Sequence, residues 1–387
     1  MKRLALAGAL IGCAGPDVAP PLVPVSNAPM DAPLVSQLIF DAPNETPPPP
    51  PDAADPSLPP APEVWLKGST HVHAKPSGDS SEPIDDVIKW YEGHGYDFIA
   101  LTDHNRVSEI EAADTRGRVA VRAPSQGLIV LSGIELTHNP SGCLPIGDKS
   151  KKCRIHVNVL GVTARPVGKI EWAERHSHQR IDMYQAAFAA AKALGGTVVQ
   201  INHPQWFWGM QADLLAELAR RNAVLVEIAN AQFMKWSAGD KDHPSMEQLW
   251  DAVLEKGLTM WGVASDDAHD YSHGHHPAHG KYPAGGGWVV VKARREPQAI
   301  LDALAAGHFY ASNGVVLSRA EVDAGELVVE VDAKESGTYS IAWIEDGHVI
   351  ATDKARTARR AVPATGYLRA VVSRDDGKQA WVEPARH

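Results

Sequence analysis

From Val64 onward, short apolar runs alternate with longer stretches whose apolar positions recur at helical spacing. Val64 to His73 reads as a strand, and Pro83 to Gly93 as a helix opened by proline and closed by glycine. Tyr96-Asp-Phe-Ile-Ala-Leu-Thr102 is the continuous apolar kind of strand that a parallel sheet buries on both faces. Further strands are expected over Leu128 to Leu136, Ile155 to Val162, Thr197 to Ile201, Val224 to Ile228, Thr259 to Ala264 and Trp288 to Val291. Helices are expected over Ile181 to Leu194, Ala212 to Arg220, Met246 to Glu255 and Pro297 to Ala306. This alternation predicts an α/β fold with a parallel sheet, and the number of units favours a closed barrel. No G-x-G-x-x-G follows a strand, which argues against a dinucleotide-binding fold. From Ser318 the rhythm shortens, with runs such as Leu327-Val-Val-Glu-Val331 and Tyr339-Ser-Ile-Ala-Trp343 that predict a small antiparallel β-module.

The amino-terminal residues follow neither rhythm. Met1-Lys2-Arg3 is a basic start, Leu4 to Ile11 a short apolar run, and Cys13 ends it. The stretch resembles a bacterial lipoprotein signal, with residues 1–12 removed and Cys13 lipidated; an ordinary secretory signal with a chance cysteine is the alternative. Sixteen of the 29 prolines fall in residues 14–62, so residues 13–62 read as an extended tether with a reach of roughly 40 Å. Ala14, where inner-membrane lipoproteins commonly carry Asp, points to the outer membrane, on its periplasmic side or surface. No apolar run approaches the ~20 residues that span a bilayer, so the expected membrane partner is reached through the lipid alone. Cys143 and Cys153 are the remaining cysteines, and export would favour a local disulfide over two free thiols.

The 387 residues carry a formal charge of −10 and no basic tract, which disfavours nucleic-acid binding and a nuclease role. At 44% hydrophobic the chain can bury a substantial core. Among its 18 histidines, those near strand ends stand out. His71 and His73 end the first strand, Asp103 and His104 the second, and Glu135 the third. His156 begins His156-Val-Asn-Val-Leu-Gly161, His203 follows a strand, and Asp267 and His269 follow another. The carboxyl ends of barrel strands form one face, so these residues are expected to converge there. His-x-His on a strand points both rings to one side, as two ligands of one ion require, and Asp267-Ala-His269 repeats the spacing. Imidazoles and carboxylates without cysteine suit zinc, manganese or iron.

The ordered signatures His71-Val-His73, Thr102-Asp-His-Asn105, His156-Val-Asn-Val-Leu-Gly161 and Asp266-Asp-Ala-His269 resemble the PHP (polymerase and histidinol phosphatase) superfamily. The resemblance covers roughly Lys67 to Gly314, and its end looks most like the carbaryl-hydrolase-type branch. It implies a distorted (β/α)7 TIM-like barrel over residues 63–315, a β-module over 316–387, and two or three divalent ions. One metal would be held by His71, His73, Glu135 and Asp267, a second by Glu135, His156 and His203, and a third by Asp79, His104 and His269. Asp79 is displaced by one position from the family's pattern, with Gly78 before it. Asp103 is expected to orient His104, and Asp266 to support the ligands or cap the strand end. Metal-bound hydroxide is the expected nucleophile. The implied activity is hydrolysis of small phosphate mono- or diesters, with carbamate, ester or amide hydrolysis as the alternative. A lipid-anchored binding protein without catalysis is the rival from another class. Arg106, Arg154 and Trp206 are candidate substrate contacts, and His273, His275, His276 and His279 form a His/Gly loop that could recruit metal or cover the site. Oligomeric state is not legible.

Overall fold

A computed structural model describes residues 61–108, 120–121, 127–173, 177–271 and 283–387. Cys13, the tether up to residue 60 and the four histidines of the His/Gly loop lie outside the described residues. The elements run β1 (Val64–Val72), α1 (Ile84–Gly93), β2 (Phe98–Leu101), β3 (Ala120–Val121), β4 (Ile129–His138), β5 (Ile155–Leu160), α2 (Arg180–Ala193), β6 (Val198–Ile201), α3 (Ala212–Arg220) and β7 (Leu225–Asn230). Then follow α4 (Met234–Ser237), α5 (Met246–Leu254), β8 (Trp261–Ser265), β9 (Trp288–Ala293), α6 (Pro297–Ala306) and β10 (Phe309–Ser312). The carboxyl-terminal strands are β11 (Leu317–Asp323), β12 (Glu326–Val331), β13 (Tyr339–Glu345), β14 (His348–Asp353), β15 (Thr357–Ala361), β16 (Leu368–Arg374) and β17 (Gln379–Ala385). No helix among the described residues is long and apolar enough to cross a membrane.

Local chemistry explains the helices. Asp85 and Asp86 occupy the first turn of α1, near the positive end of its dipole, and Val87, Ile88 and Tyr91 form its buried face. A capping box of Ser245 and Gln248 opens α5. Gly307 closes α6 at φ 75°, in the left-handed region that glycine tolerates best.

The fold is mixed α/β. One 14-stranded sheet has the order β14-β13-β16-β17-β10-β9-β1-β2-β4-β5-β6-β7-β8, with β3 beside β4, and β11-β12-β15 form a separate antiparallel sheet. The expected parallel sheet is found only in part. β1–β2, β2–β4, β6–β7 and β7–β8 are parallel, whereas β5 runs antiparallel to both neighbours and β9 antiparallel to β1. A parallel return needs a crossover, usually a helix. Between β4 and β5 the chain instead makes a loop closed by the Cys143–Cys153 disulfide, whose Cα atoms are 6.0 Å apart. The far end of the sheet comes back to β1: Val72 bridges Ala268 in parallel, and His73 N donates to Ala268 O at 3.0 Å.

Leu66, Phe98, Ile129, Leu160, Val198, Leu225 and Val263 of successive strands pack together at nearly zero exposure. The later strands are joined to this body, since β17 pairs with β10 and β10 with β9. Val290, Tyr310, Val329, Ile341, Trp343 and Leu368 form one core between the large sheet and the three-stranded one. Arg369 on β16 reaches α5, with Nε 2.7 Å from Asp251 Oδ1 and Nη2 2.6 Å from Oδ2. Tyr367 also donates to Asp251 Oδ1 at 2.7 Å. Arg369 is 2% exposed. Replacing one member strands a buried charge, so Arg369→Ala is expected to cost about 3–5 kcal/mol of unfolding free energy in urea titration.

Candidate metal centre

The chain reversal at β5 has a direct effect on the site. Because β5 runs against its neighbours, its first residues lie at the rim where β1, β2, β6 and β8 end. His156, near the start of its strand, therefore meets histidines that end or follow theirs. Glu135 lies at the middle of this gathering, within β4, which continues three residues beyond it rather than ending there.

His71 Nδ1 is 2.7 Å from Glu227 Oε1, and its Nε2 is 3.1 Å from Asp267 Oδ1 and 3.4 Å from Glu135 Oε1. His73 Nδ1 meets Ser77 Oγ at 3.0 Å, while Nε2 lies 3.1 Å from Asp267 Oδ1 and 3.6 Å from Glu135 Oε2. His104 Nδ1 is 2.6 Å from Glu135 Oε2, and His156 Nδ1 is 3.0 Å from Glu135 Oε1. His203 Nε2 faces Glu135 Oε1 and Asp267 Oδ2, each at 3.7 Å. At the outer edge, Asp79 Oδ2 is 3.0 Å from His104 Nε2 and 3.2 Å from His269 Nε2. Gly78, at φ 93°, turns the chain after the Lys75–Ser77 turn. That turn brings the displaced Asp79 back to the histidines. Its side chain is 50% exposed, whereas those of Glu135 and His71 are completely buried, so the cluster has a wet mouth and a dry base.

All nine sequence-identified ligands thus meet, in overlapping groups: His71–His73–Asp267, His71–Glu135–His203, His104–Glu135–His156, and His73–Asp79–His104–His269. The potential ligand atoms within each group lie within 4.8 Å of one another. The grouping differs in detail from the expected one, because His104 shares Glu135 with His156, and His203 groups with His71. These buried groups could hold metal ions. The donor chemistry fits: His73 Nε2 is buried and aimed at the carboxylates, yet makes no hydrogen bond. Backbone strain gathers here too, with Asn105 at φ 52°, His203 at 24° and Asp267 at 47°, conformations that cost non-glycine residues about 1–3 kcal/mol each.

Burial alone would neutralise Glu135, but His156, His104 and His71 hold it well below the usual carboxylate range. Asp267 is likewise held down against burial, by His71, His73 and His269. In return, burial is outweighed at His71 by Asp267, Glu227 and Glu135, and its pKa lies well above the usual 6.5. The pKa of His104 is raised to about 10 despite burial, by Glu135 and Asp79. Burial and the neighbouring His269 push His73 down to about 3, and burial brings His156 to about 4.

One expected supporting role is corrected. Asp103 does not orient His104: its carboxylate accepts from the Ala74 amide at 2.7 Å and from the Ser108 hydroxyl. Asp266 takes the second of its two expected roles: it accepts from Ser69 Oγ at 3.3 Å and Gly285 N at 2.7 Å, binding strand ends together. Arg106 is half-buried and makes no ion pair with the cluster among the described residues. Arg154 and Trp206 do lie beside it. The Trp206 ring centre is 5.8 Å from that of His156 and 5.3 Å from that of His203, and the Arg154 guanidinium is 4.7 Å from the Trp206 ring centre.

Sequence reasoning missed Glu227. Wholly buried on β7, it also accepts from His203 N at 2.6 Å, Asn230 Nδ2 at 2.9 Å and Ser265 Oγ at 2.5 Å. A lone carboxylate in the otherwise apolar Leu225-Val-Glu-Ile-Ala229 was its signal. Also missed were Asn202, which donates to Glu135 Oε1 at 2.8 Å, and Asn139, whose Oδ1 is 2.8 Å from His156 Nε2. Phe233 was a further omission; its ring centre lies 4.5 Å from that of His203.

Two predictions follow from these contacts. His71 and His104 hold protons at neutral pH without a cation, and a cation needs their lone pairs. Binding should therefore release about two protons, and affinity should fall about a hundredfold per pH unit of acidification, read by calorimetry in buffers of different ionisation enthalpy. Glu227→Gln removes the anion that orients His71, and should weaken zinc or manganese binding about 10- to 100-fold while leaving circular dichroism unchanged.

No protein-family model matches this chain, and no curated protein matches it significantly.

Proposed function

We propose that the protein is a divalent-metal-dependent hydrolase acting on small phosphate mono- or diesters. The observation that carries this reading is the sharing of Glu135 between two His-rich groups, which His71, His73 and His104 link to the rest of the cluster. A single structural ion needs no shared carboxylates, whereas two or three adjacent ions do. Zinc, manganese or iron suits these donors. Such ions, when bound, supply Lewis acidity and lower the pKa of water from 15.7 toward about 7. The chain's own residues would do the rest. Glu135 is placed to bridge between groups, with Asn202 fixing one carboxylate oxygen. Glu227 holds the His71 ring through Nδ1 and leaves Nε2 facing the pocket. Asp79, ionised at the exposed edge, lies where substrate and water enter.

The return of the sheet to β1 through Val72 and Ala268 supports reading residues 63–315 as a distorted (β/α)7 barrel of the PHP type. We also carry forward the exported lipoprotein reading, with Cys13 as the lipid anchor on the periplasmic side or surface of the outer membrane. Carbamate, ester or amide hydrolysis is the second reading, favoured by the apolar wall that Trp206 and Phe233 raise against His203.

Metal-loaded protein should turn over nitrophenyl phosphates or phosphodiesters, and the paired change His71→Ala and His73→Ala should reduce hydrolysis to background while the fold persists by circular dichroism. Activity on carboxyl esters or carbamates alone would favour the second reading. A folded, metal-replete wild type inert toward every ester would leave only a binding role.

A further inference from the structure

Arg154 lies immediately before β5, two residues ahead of His156. Side chains two apart on an extended chain share a face, so the guanidinium rises from the same rim as the imidazole. It is braced there. Nη1 donates to the Cys153 carbonyl at 2.8 Å, and the guanidinium lies 4.7 Å from the Trp206 ring centre and 5.1 Å from that of Phe207. The disulfide to Cys143 fixes the residue whose carbonyl it grips. Arg154 pairs with no carboxylate among the described residues, although the neighbouring pocket is rich in them. The loop leading to it carries Lys149, Lys151 and Lys152 against Asp148, and Lys152 Nζ lies 5.2 Å from the Phe207 ring centre. A chain of net charge −10 thus presents a cationic margin on one side of its candidate metal pocket.

We propose that Arg154, with Trp206 as its brace, is a specificity-determining residue that grips a second anionic group on the leaving portion of the substrate. This deepens the hydrolase reading and rests on it. The substrate class is then an ester with two anionic ends: a reacting end at the His/Asp/Glu cluster, and a carboxylate or phosphate held by the planar guanidinium. Aromatic bracing limits the rotamers Arg154 samples, so little freedom is lost when its fork meets an oxyanion.

The test compares 4-carboxyphenyl phosphate with phenyl phosphate on the full, metal-loaded chain. For wild type, KM is expected to be about 10- to 100-fold lower for the carboxylated ester. Arg154→Met should erase that preference, bringing the KM for the carboxylated ester to that for phenyl phosphate with bound metal unchanged, and Arg154→Lys should restore part of it. A preference that survives Arg154→Met overturns the proposal, as does an equal effect on both esters. Should neither ester be hydrolysed, the phosphate reading fails separately. Binding of 4-carboxyphenylphosphonate against phenylphosphonate, followed by tryptophan fluorescence, then decides. Arg154-dependent preference for the carboxylated phosphonate upholds the subsite, and its absence removes it.

Discussion

Glu135 is the constraint around which the rest is arranged. A carboxylate fully out of water is costly unless opposite charge or strong donors surround it. Here His71, His104 and His156 each present a ring nitrogen to it, and Asn202 adds an amide. Those groups come from β1, the turn after β2, β5 and the residue after β6, so one side chain ties together much of the sheet. Burial outweighs the carboxylates at His73 and His156 and shifts them down, whereas at His71 the carboxylates Asp267, Glu227 and Glu135, and at His104 Glu135 and Asp79, outweigh it and shift them up. The network is high in stakes: each member is buried by the others.

Aromatic groups then wall one side of this charge cluster. Trp206 follows His203 by three residues and turns back against it, and Phe233, on the connection after β7, closes the same side. Tyr271 donates to the His73 carbonyl at 2.7 Å and to the Ala268 carbonyl at 2.9 Å, clamping the seam where β1 meets the segment after β8. The clustered imidazoles are therefore held in place by rings and hydroxyls packed around them.

Much of this was legible in the residues. Most strand and helix positions through β9 and α6, though not β3 or α4, follow from apolar runs and from proline and glycine; eight of the nine clustered residues stand out by their place near strand ends, and Asp79 through the resemblance alone. Strand direction was not legible. Nothing in Ile155 to Leu160 states which way it runs, and the antiparallel pairing depends on what the preceding loop does with its length. Glu227 escaped for a related reason: it has no motif partner in sequence, and its role exists only through His71, 156 positions away. Asp103, by contrast, adjoins His104 in sequence yet turns to the Ala74 amide, since a strand-end carboxylate readily satisfies nearby backbone donors. The continuity of the late strands with β9 and β10 was also hidden, because an edge offers no compositional mark of what will pair with it.

The seam between Val72 and Ala268 also governs when the pocket can exist during synthesis. His71 and His73 leave the ribosome early, but the carboxylate that stands between them is encoded almost two hundred residues later. Pairings of such long range form slowly, because the chain between must first be ordered. A nascent chain stalled before Asp267 would carry a half-built rim of histidines, so completion of the cluster is necessarily a late event in the life of the molecule.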